Sequence, residues 1–177
     1  NVISIQNTAK LLNGNDIEKT VDLIEKSDNV SFFGMGSSLL VAKDASQKFL
    51  RVDKICHVFD DWHLQLMMAK NMTKSDFALI FSYSGQTEEM IECAEAVKKN
   101  GGCIVLVTGF ENSPLSKLSD IILPVAATEY LFRSGAMASR ISQMNVVDIL
   151  YTAYINRNYE GYAKRISMTH IIKDLGE

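Results

Sequence analysis

Long apolar runs, a surplus of basic residues and a dense set of cysteines are all missing from this chain of 177 residues. No stretch approaches the ~20 apolar residues that span a bilayer, and no secretory signal pattern opens the chain, so no membrane association is expected. Lys and Arg number 18 against 21 Asp and Glu, a net charge of −3, so this chain alone lacks the clustered positive charge that grips a nucleic-acid backbone. Cys56, Cys93 and Cys103 are odd in number and far apart. Buried free thiols in a reducing cytoplasm are expected of them, not a disulfide framework. The Walker pattern ending in Gly-Lys-Ser/Thr is absent, which argues against nucleotide hydrolysis. Asp60-Asp61 with His63 resembles a metal cluster only loosely, and a helix cap at Asp61 accounts for it more simply; no metal and no cofactor is expected.

What is present is ordinary globular composition, 47% hydrophobic and 22% charged. Short apolar runs alternate with helical patterns. Val30–Phe33, Ile55–Val58, Phe77–Phe81, Cys103–Val107 and Ile121–Val125 read as five strands covered on both faces. Ser38–Val52, Trp62–Lys70 and Glu88–Asn100 read as the helices between them; in the last, Met90, Ile91, Ala94 and Val97 form one stripe. Asn100-Gly101-Gly102 suits a helix end that needs positive φ. Helices over Ile3–Leu12 and Asp16–Lys26, the second capped by Asn15 or Asp16, precede the first strand. A long helix over Ala136–Asn156 and a weaker one over Tyr159–Lys173 follow the last. Pro114 is expected to start a short helical turn, and Met67, Met68 and Met72 to fill core. There is no repeat or linker.

The pattern predicts an α/β three-layer sandwich, with a five-stranded parallel sheet in the flavodoxin-like order 2-1-3-4-5. One domain is expected over residues 1–177: N-terminal helices to 28, a core over 29–156, and a C-terminal helix over 157–177. The first residue is Asn1, not Met, and a fragment or processed product is therefore expected.

Two loops carry the chemistry. Ser82-Tyr83-Ser84-Gly85-Gln86-Thr87 follows the third apolar run, and Gly34-Met35-Gly36-Ser37-Ser38 follows the first. In the predicted order both lie at the switch point, beyond the carboxyl ends of adjacent strands, where ligands bind. Gly36 and Gly85 allow close backbone approach, while Ser37, Ser38, Ser82, Ser84 and Thr87 offer hydroxyl donors beside helix starts. Neither loop has Lys or Arg, so a singly phosphorylated ligand suits them better than a triphosphate. Glu129, Arg133, Ser139 and His63 are further candidates for ligand or interface contacts. Val146, Val147, Ile149, Leu150, Tyr151 and Tyr154 suggest a buried face, either within the chain or between subunits.

With these motifs, Thr108-Gly109, Ser113-Pro114-Leu115 and Ser119-Asp120, the chain over about residues 30–155 resembles the SIS (sugar isomerase) domain, a phosphosugar-binding module. Val41-Ala42-Lys43-Asp44, Lys48-Phe49-Leu50-Arg51, Asp61-x-His63-x-Gln65 and Ser139-Arg140-Ile141 resemble, within it, the sensing domain of RpiR-type transcriptional regulators. The resemblance implies phosphosugar contacts from Ser38, Ser82, Ser84 and Thr87, with Tyr83 and Gln86 at variable positions between them. It also implies self-association as a dimer or tetramer, and DNA binding only through a helix-turn-helix domain ahead of Asn1. SIS isomerases place a Glu base near the start of the helix after the last strand. Here no Asp or Glu occurs from Tyr130 to Val147, so no catalytic residue is assigned and a sensor is expected. A stand-alone sugar-phosphate isomerase is the alternative.

Overall fold

The computed structural model describes residues 1–127 and 136–170. In chain order the elements are α1 (Val2–Leu11), α2 (Gly14–Lys26), β1 (Asn29–Gly34), α3 (Ser37–Leu50), β2 (Ile55–His57), α4 (Trp62–Asn71), β3 (Phe77–Phe81), α5 (Glu88–Lys99), β4 (Cys103–Thr108), α6 (Pro114–Leu118), β5 (Ile121–Pro124), α7 (Met137–Asn156) and α8 (Tyr159–Met168). The five strands are all parallel, in the order β2-β1-β3-β4-β5. This is the α/β sandwich that the alternation of apolar runs and helices predicts.

Strand periodicity sorts the core into two layers. Phe32, Phe77, Leu79, Phe81, Val105 and Val107 face α2, α3 and α7, whereas Phe33, Ala78, Ile80, Ile104 and Leu106 face α4, α5 and α6. A helix layer thus covers each face of β1, β3 and β4, which explains their near-continuous apolar sequences. The edge strand β2 does not fit that expectation: it has three residues, and Ile55 is 59% exposed.

Local sequence sets the boundaries. Asp61 caps α4 as expected, its Oδ1 accepting from Leu64 N at 3.2 Å. For α2 the cap is Asn13, not Asn15 or Asp16; Asn13 Oδ1 accepts from Asn15 N at 2.8 Å. Pro114 opens α6 behind the Ser113 cap. In the α5 stripe the buried residues are Met90, Cys93, Ala94 and Val97, and Ile91 lies at its margin. Met72 is buried and Met68 half-buried, but Met67 is 58% exposed, because it faces outward on α4. The cysteines are free; Cys93 is buried, while Cys56 and Cys103 are only half-buried at strand starts near the surface. Burial pushes the Cys56 and Cys103 thiols up to about 11 and Cys93 up to about 12, which keeps all three protonated and slow to react at neutral pH.

The long helix α7 is the hub of its layer. Val146, Val147, Leu150 and Tyr154 bury within the chain, so its apolar content is used by the protomer's own core. Arg157, just past its end, meets Asp22, Glu25 and Glu18 on α2 at 2.6, 2.7 and 2.7 Å. Buried hydroxyls tie its first half to α1. Ser142 Oγ donates to Ala126 O at 2.6 Å, and Ala126 N donates to Thr8 Oγ1 at 3.0 Å.

Candidate functional site

Because β1 and β3 are neighbours whose connections leave in opposite directions, a cleft opens beyond their carboxyl ends. Its volume is about 170 Å³, and it is lined by Met35, Ser37, Ser38, Phe81, Ser82, Tyr83, Ser84, Thr87, Ala136, Ser139 and Gln143. Three helices, α3, α5 and α7, begin at its wall.

The β1–α3 loop is a tight turn. Ser38 N donates to Met35 O at 3.1 Å, and Gly36 takes φ +54° and ψ −123° between them. These are the angles of a type II′ turn, which glycine alone adopts at no steric cost. Being Gly, the residue before α3 supplies no side-chain cap; the Ser38 and Leu39 amides turn back onto Met35 O and Gly36 O, each at 3.1 Å. The end of β1 is held by Gln65 of α4. β2 stops too early to pair with Gly34, and the buried Gln65 amide substitutes for it. Its Oε1 accepts from Gly34 N at 3.2 Å, and its Nε2 donates to Gly34 O and Phe59 O, each at 3.0 Å.

The β3–α5 loop is held by backbone. Ser82 N donates to Val107 O at 3.1 Å, Gly109 N to Tyr83 O at 2.9 Å, and Leu115 N to Gly85 O at 3.1 Å. Gly85 has φ +65°, and a Cβ there would lie 2.1 Å from Ser113 Oγ and 2.6 Å from its Cβ. Thr87 occupies the N-cap of α5 without capping it; its Oγ1 lies 3.3 Å from Ser82 Oγ instead. Ser84 Oγ accepts from Gln86 N at 3.2 Å. Tyr83 lines the cleft and packs edge-on against Phe110, ring centroids 5.6 Å apart.

The structure therefore brings together Ser37, Ser38, Ser82, Tyr83, Ser84, Thr87 and Ser139. Gly36 and Gly85 shape the loops without lining the cleft, and Gln86 is exposed beside it, since the turn directs it to solvent. His63 is exposed on α4, against Trp62, and stands apart from the cleft. Glu129 and Arg133 lie outside the described residues. Met35, Phe81, Ala136 and Gln143 line the cleft unforeseen. For Gln143 a signal existed: it is one helical turn beyond Ser139. Ser38 Oγ donates to Gln143 Oε1 at 3.3 Å, which joins α3 to α7 across the cleft wall. Ala136, at φ +49°, starts α7 in a left-handed conformation that costs about 1–2 kcal/mol for a residue with a Cβ.

Among the described residues that line the cleft, none is charged. Hydroxyls, an amide and three helix N-termini suit an anion that also bears hydroxyl groups. Among the described residues no group of three or more His, Cys, Asp or Glu is placed to hold a metal, and no helix is long and apolar enough to cross a membrane.

Residues 23–153 match the SIS domain family. The chain belongs to that family. Its SIS fold is shared with solved structures. One is the Vibrio vulnificus NanR protein complexed with ManNAc-6P, at TM-score 0.89 and 30% identity over 95% of this chain and 63% of that one. The sugar isomerase domain of an RpiR transcription factor from Sphaerobacter thermophilus has the same fold, at TM-score 0.84 and 17% identity over 94% and 92% of the two chains. In sequence, the SIS domain is 37% identical over 166 residues to an uncharacterized HTH-type transcriptional regulator of Caldanaerobacter subterraneus subsp. tengcongensis, covering 94% of this chain and 59% of the relative. It is 36% identical over 158 residues to another from Bacillus subtilis, covering 89% and 56%. The chain thus spans a little under three-fifths of these relatives.

Proposed function

We propose that this SIS domain is the phosphosugar-binding effector module of a cytoplasmic RpiR-type transcriptional regulator. A sugar phosphate bound in the cleft controls DNA binding by a helix-turn-helix domain of the same protein. The carrying observation is the cleft itself: hydroxyl donors from both glycine loops converge where three helices begin, with no charged side chain among its described lining residues. The phosphate sits on the β3–α5 loop, within reach of Ser82, Ser84 and Thr87. Charge-assisted hydrogen bonds contribute roughly 1.5–3 kcal/mol each, enough together for roughly micromolar affinity after ordering costs. The relatives named as regulators support this reading, as does the sugar phosphate bound in NanR.

The module binds without turning its ligand over. Moving a proton between adjacent carbons needs a base within hydrogen-bond reach, and no carboxylate or imidazole is among the described lining residues. Ligand binding biases one arrangement of a self-associated SIS pair, and only the difference in affinity between arrangements regulates. The route outward is α7, which bears Ser139 and Gln143 on the cleft and Ser142 on the buried hydroxyl relay to α1. Calorimetric titration with N-acetylmannosamine 6-phosphate, glucosamine 6-phosphate and glucose 6-phosphate tests the reading. Saturable binding of at least one supports it, and no binding of any overturns it.

A further inference from the structure

Gln143 is 1% exposed, and among the described residues its Nε2 has no hydrogen-bond partner. Its other amide atom is engaged by Ser38 Oγ at 3.3 Å. Exchanging the amide's nitrogen and oxygen does not remove the orphan, because a hydroxyl serves equally as donor or acceptor and still meets only one of the two atoms. A buried polar group without a partner is costly, and native proteins keep few of them. This one lies on the wall of the cleft.

The two sides of the cleft divide the labour. Ser82, Ser84 and Thr87 end β3 and begin α5, in the layer of α4, α5 and α6. Gln143 and Ser139 come from α7, which packs with α3 in the opposite layer. A phosphate cradled at the α5 start leaves the rest of the ligand against α3 and α7. A neutral amide there meets a hydroxyl or carbonyl oxygen without needing an opposite charge.

Building on the phosphosugar reading of the cleft, we infer that Gln143 reads the sugar: its unpartnered amide terminus hydrogen-bonds a hydroxyl or carbonyl oxygen of the carbon skeleton, not the phosphate. Gln143 is thereby the specificity determinant on α7, the helix that also carries the relay to α1. Ligands with an oxygen at the right carbon are recognised at the point where the signal leaves the cleft.

The test is a cycle of protein and ligand deletions. Wild type and Gln143→Leu are titrated with N-acetylmannosamine 6-phosphate, glucosamine 6-phosphate and glucose 6-phosphate, then with monodeoxy analogues of the tightest binder. Circular dichroism and thermal melting check folding. Gln143→Glu, which keeps the shape, replaces Gln143→Leu if the latter does not fold. The expected result is a loss of about tenfold or more in the variant, together with the disappearance of discrimination at one hydroxyl or carbonyl position that wild type reads. Unchanged affinity overturns the inference and leaves the phosphosugar reading standing. A loss of affinity with every discrimination intact also overturns it, because Gln143 then only supports Ser38 or meets the phosphate. If wild type binds none of the three sugars, the phosphosugar reading falls and this inference falls with it.

Discussion

The two glycine loops of the cleft have similar sequences and are secured by different means. The β3–α5 loop is bolted by main-chain hydrogen bonds to β4, the turn after it and α6, and its Gly85 fits against Ser113. The β1–α3 loop depends on two glutamine side chains: Gln65 replaces the missing length of β2, and Gln143 holds Ser38. Beside Gly36 the space is open, with nothing within 4 Å of an added Cβ. The β3–α5 loop, the proposed phosphate cradle, is thus fixed by main-chain bonds and tolerates little change at Gly85. The β1–α3 loop is a wall whose hydrogen bonds run through replaceable side chains; on the proposed reading, ligand identity varies there while the phosphate site stays fixed.

The largest effect that would break this comparison is at Gly85. Gly85→Ala combines an unfavourable φ with a clash against a cap residue of α6, and should cost about 3–5 kcal/mol of stability. The matched change Gly36→Ala meets only the φ penalty, about 1–3 kcal/mol. Thermal or urea unfolding of the pair checks the order; equal losses would mean the loops are held alike.

Next comes Gln65→Leu. It leaves the buried Gly34 N–H and C=O without partners, and should destabilise the fold by about 2–4 kcal/mol. It should also loosen sugar-phosphate binding through misplacement of Ser37 and Ser38. Denaturant unfolding and calorimetry together measure both, and a stability unchanged within error would remove Gln65 as the substitute for β2.

Ser84→Ala should act on binding alone, weakening a sugar phosphate by about 1–3 kcal/mol while the melting temperature stays close to wild type. An unchanged affinity would take Ser84 out of the phosphate cradle.

The smallest effect is on acid stability. Burial acts to raise the Asp120 pKa, but Lys98 at 2.7 Å and the Ile104 N–H at 2.8 Å outweigh it and hold the carboxyl below the usual carboxylate range. A depressed folded-state pKa contributes stability that is present above the unfolded value, ~3.9, and lost as pH falls through the folded one. Asp120→Asn should therefore flatten the wild-type loss of stability on acidification below about pH 4. A parallel pair of stability-versus-pH curves would contradict that assignment.

The fold was legible because each buried strand is a short apolar run bounded by Gly, Asn or Asp, and each crossover is a helix with an apolar face. The predicted order already put β2 at the edge; its exposure was not legible, since Ile55-Cys56-His57-Val58 reads as a strand covered on both faces like the central ones. The density of hydroxyls in Ser82–Thr87 pointed to the cleft because one helix cap needs only one of them. Gln65 stayed hidden for the converse reason, and Gln143 showed only in its spacing, one helical turn beyond Ser139. A glutamine inside a helix reads as a solvated position, and only tertiary packing reveals an amide standing in for a strand or facing a cleft. His63 misled in the same way: residue type suggested chemistry, while its phase on α4 turns it outward.

Nuclear magnetic resonance of ¹³C-labelled N-acetylmannosamine 6-phosphate and glucosamine 6-phosphate incubated with the protein tests most directly whether this cleft holds a sugar phosphate and leaves it intact. Chemical-shift changes or line broadening of at least one ligand on binding are expected, shifted to higher ligand concentration in Ser84→Ala, with the starting sugar recovered unchanged after prolonged incubation. New ketose or epimer signals that grow with protein concentration, or spectra that the protein leaves wholly unaltered, would contradict that reading of the cleft.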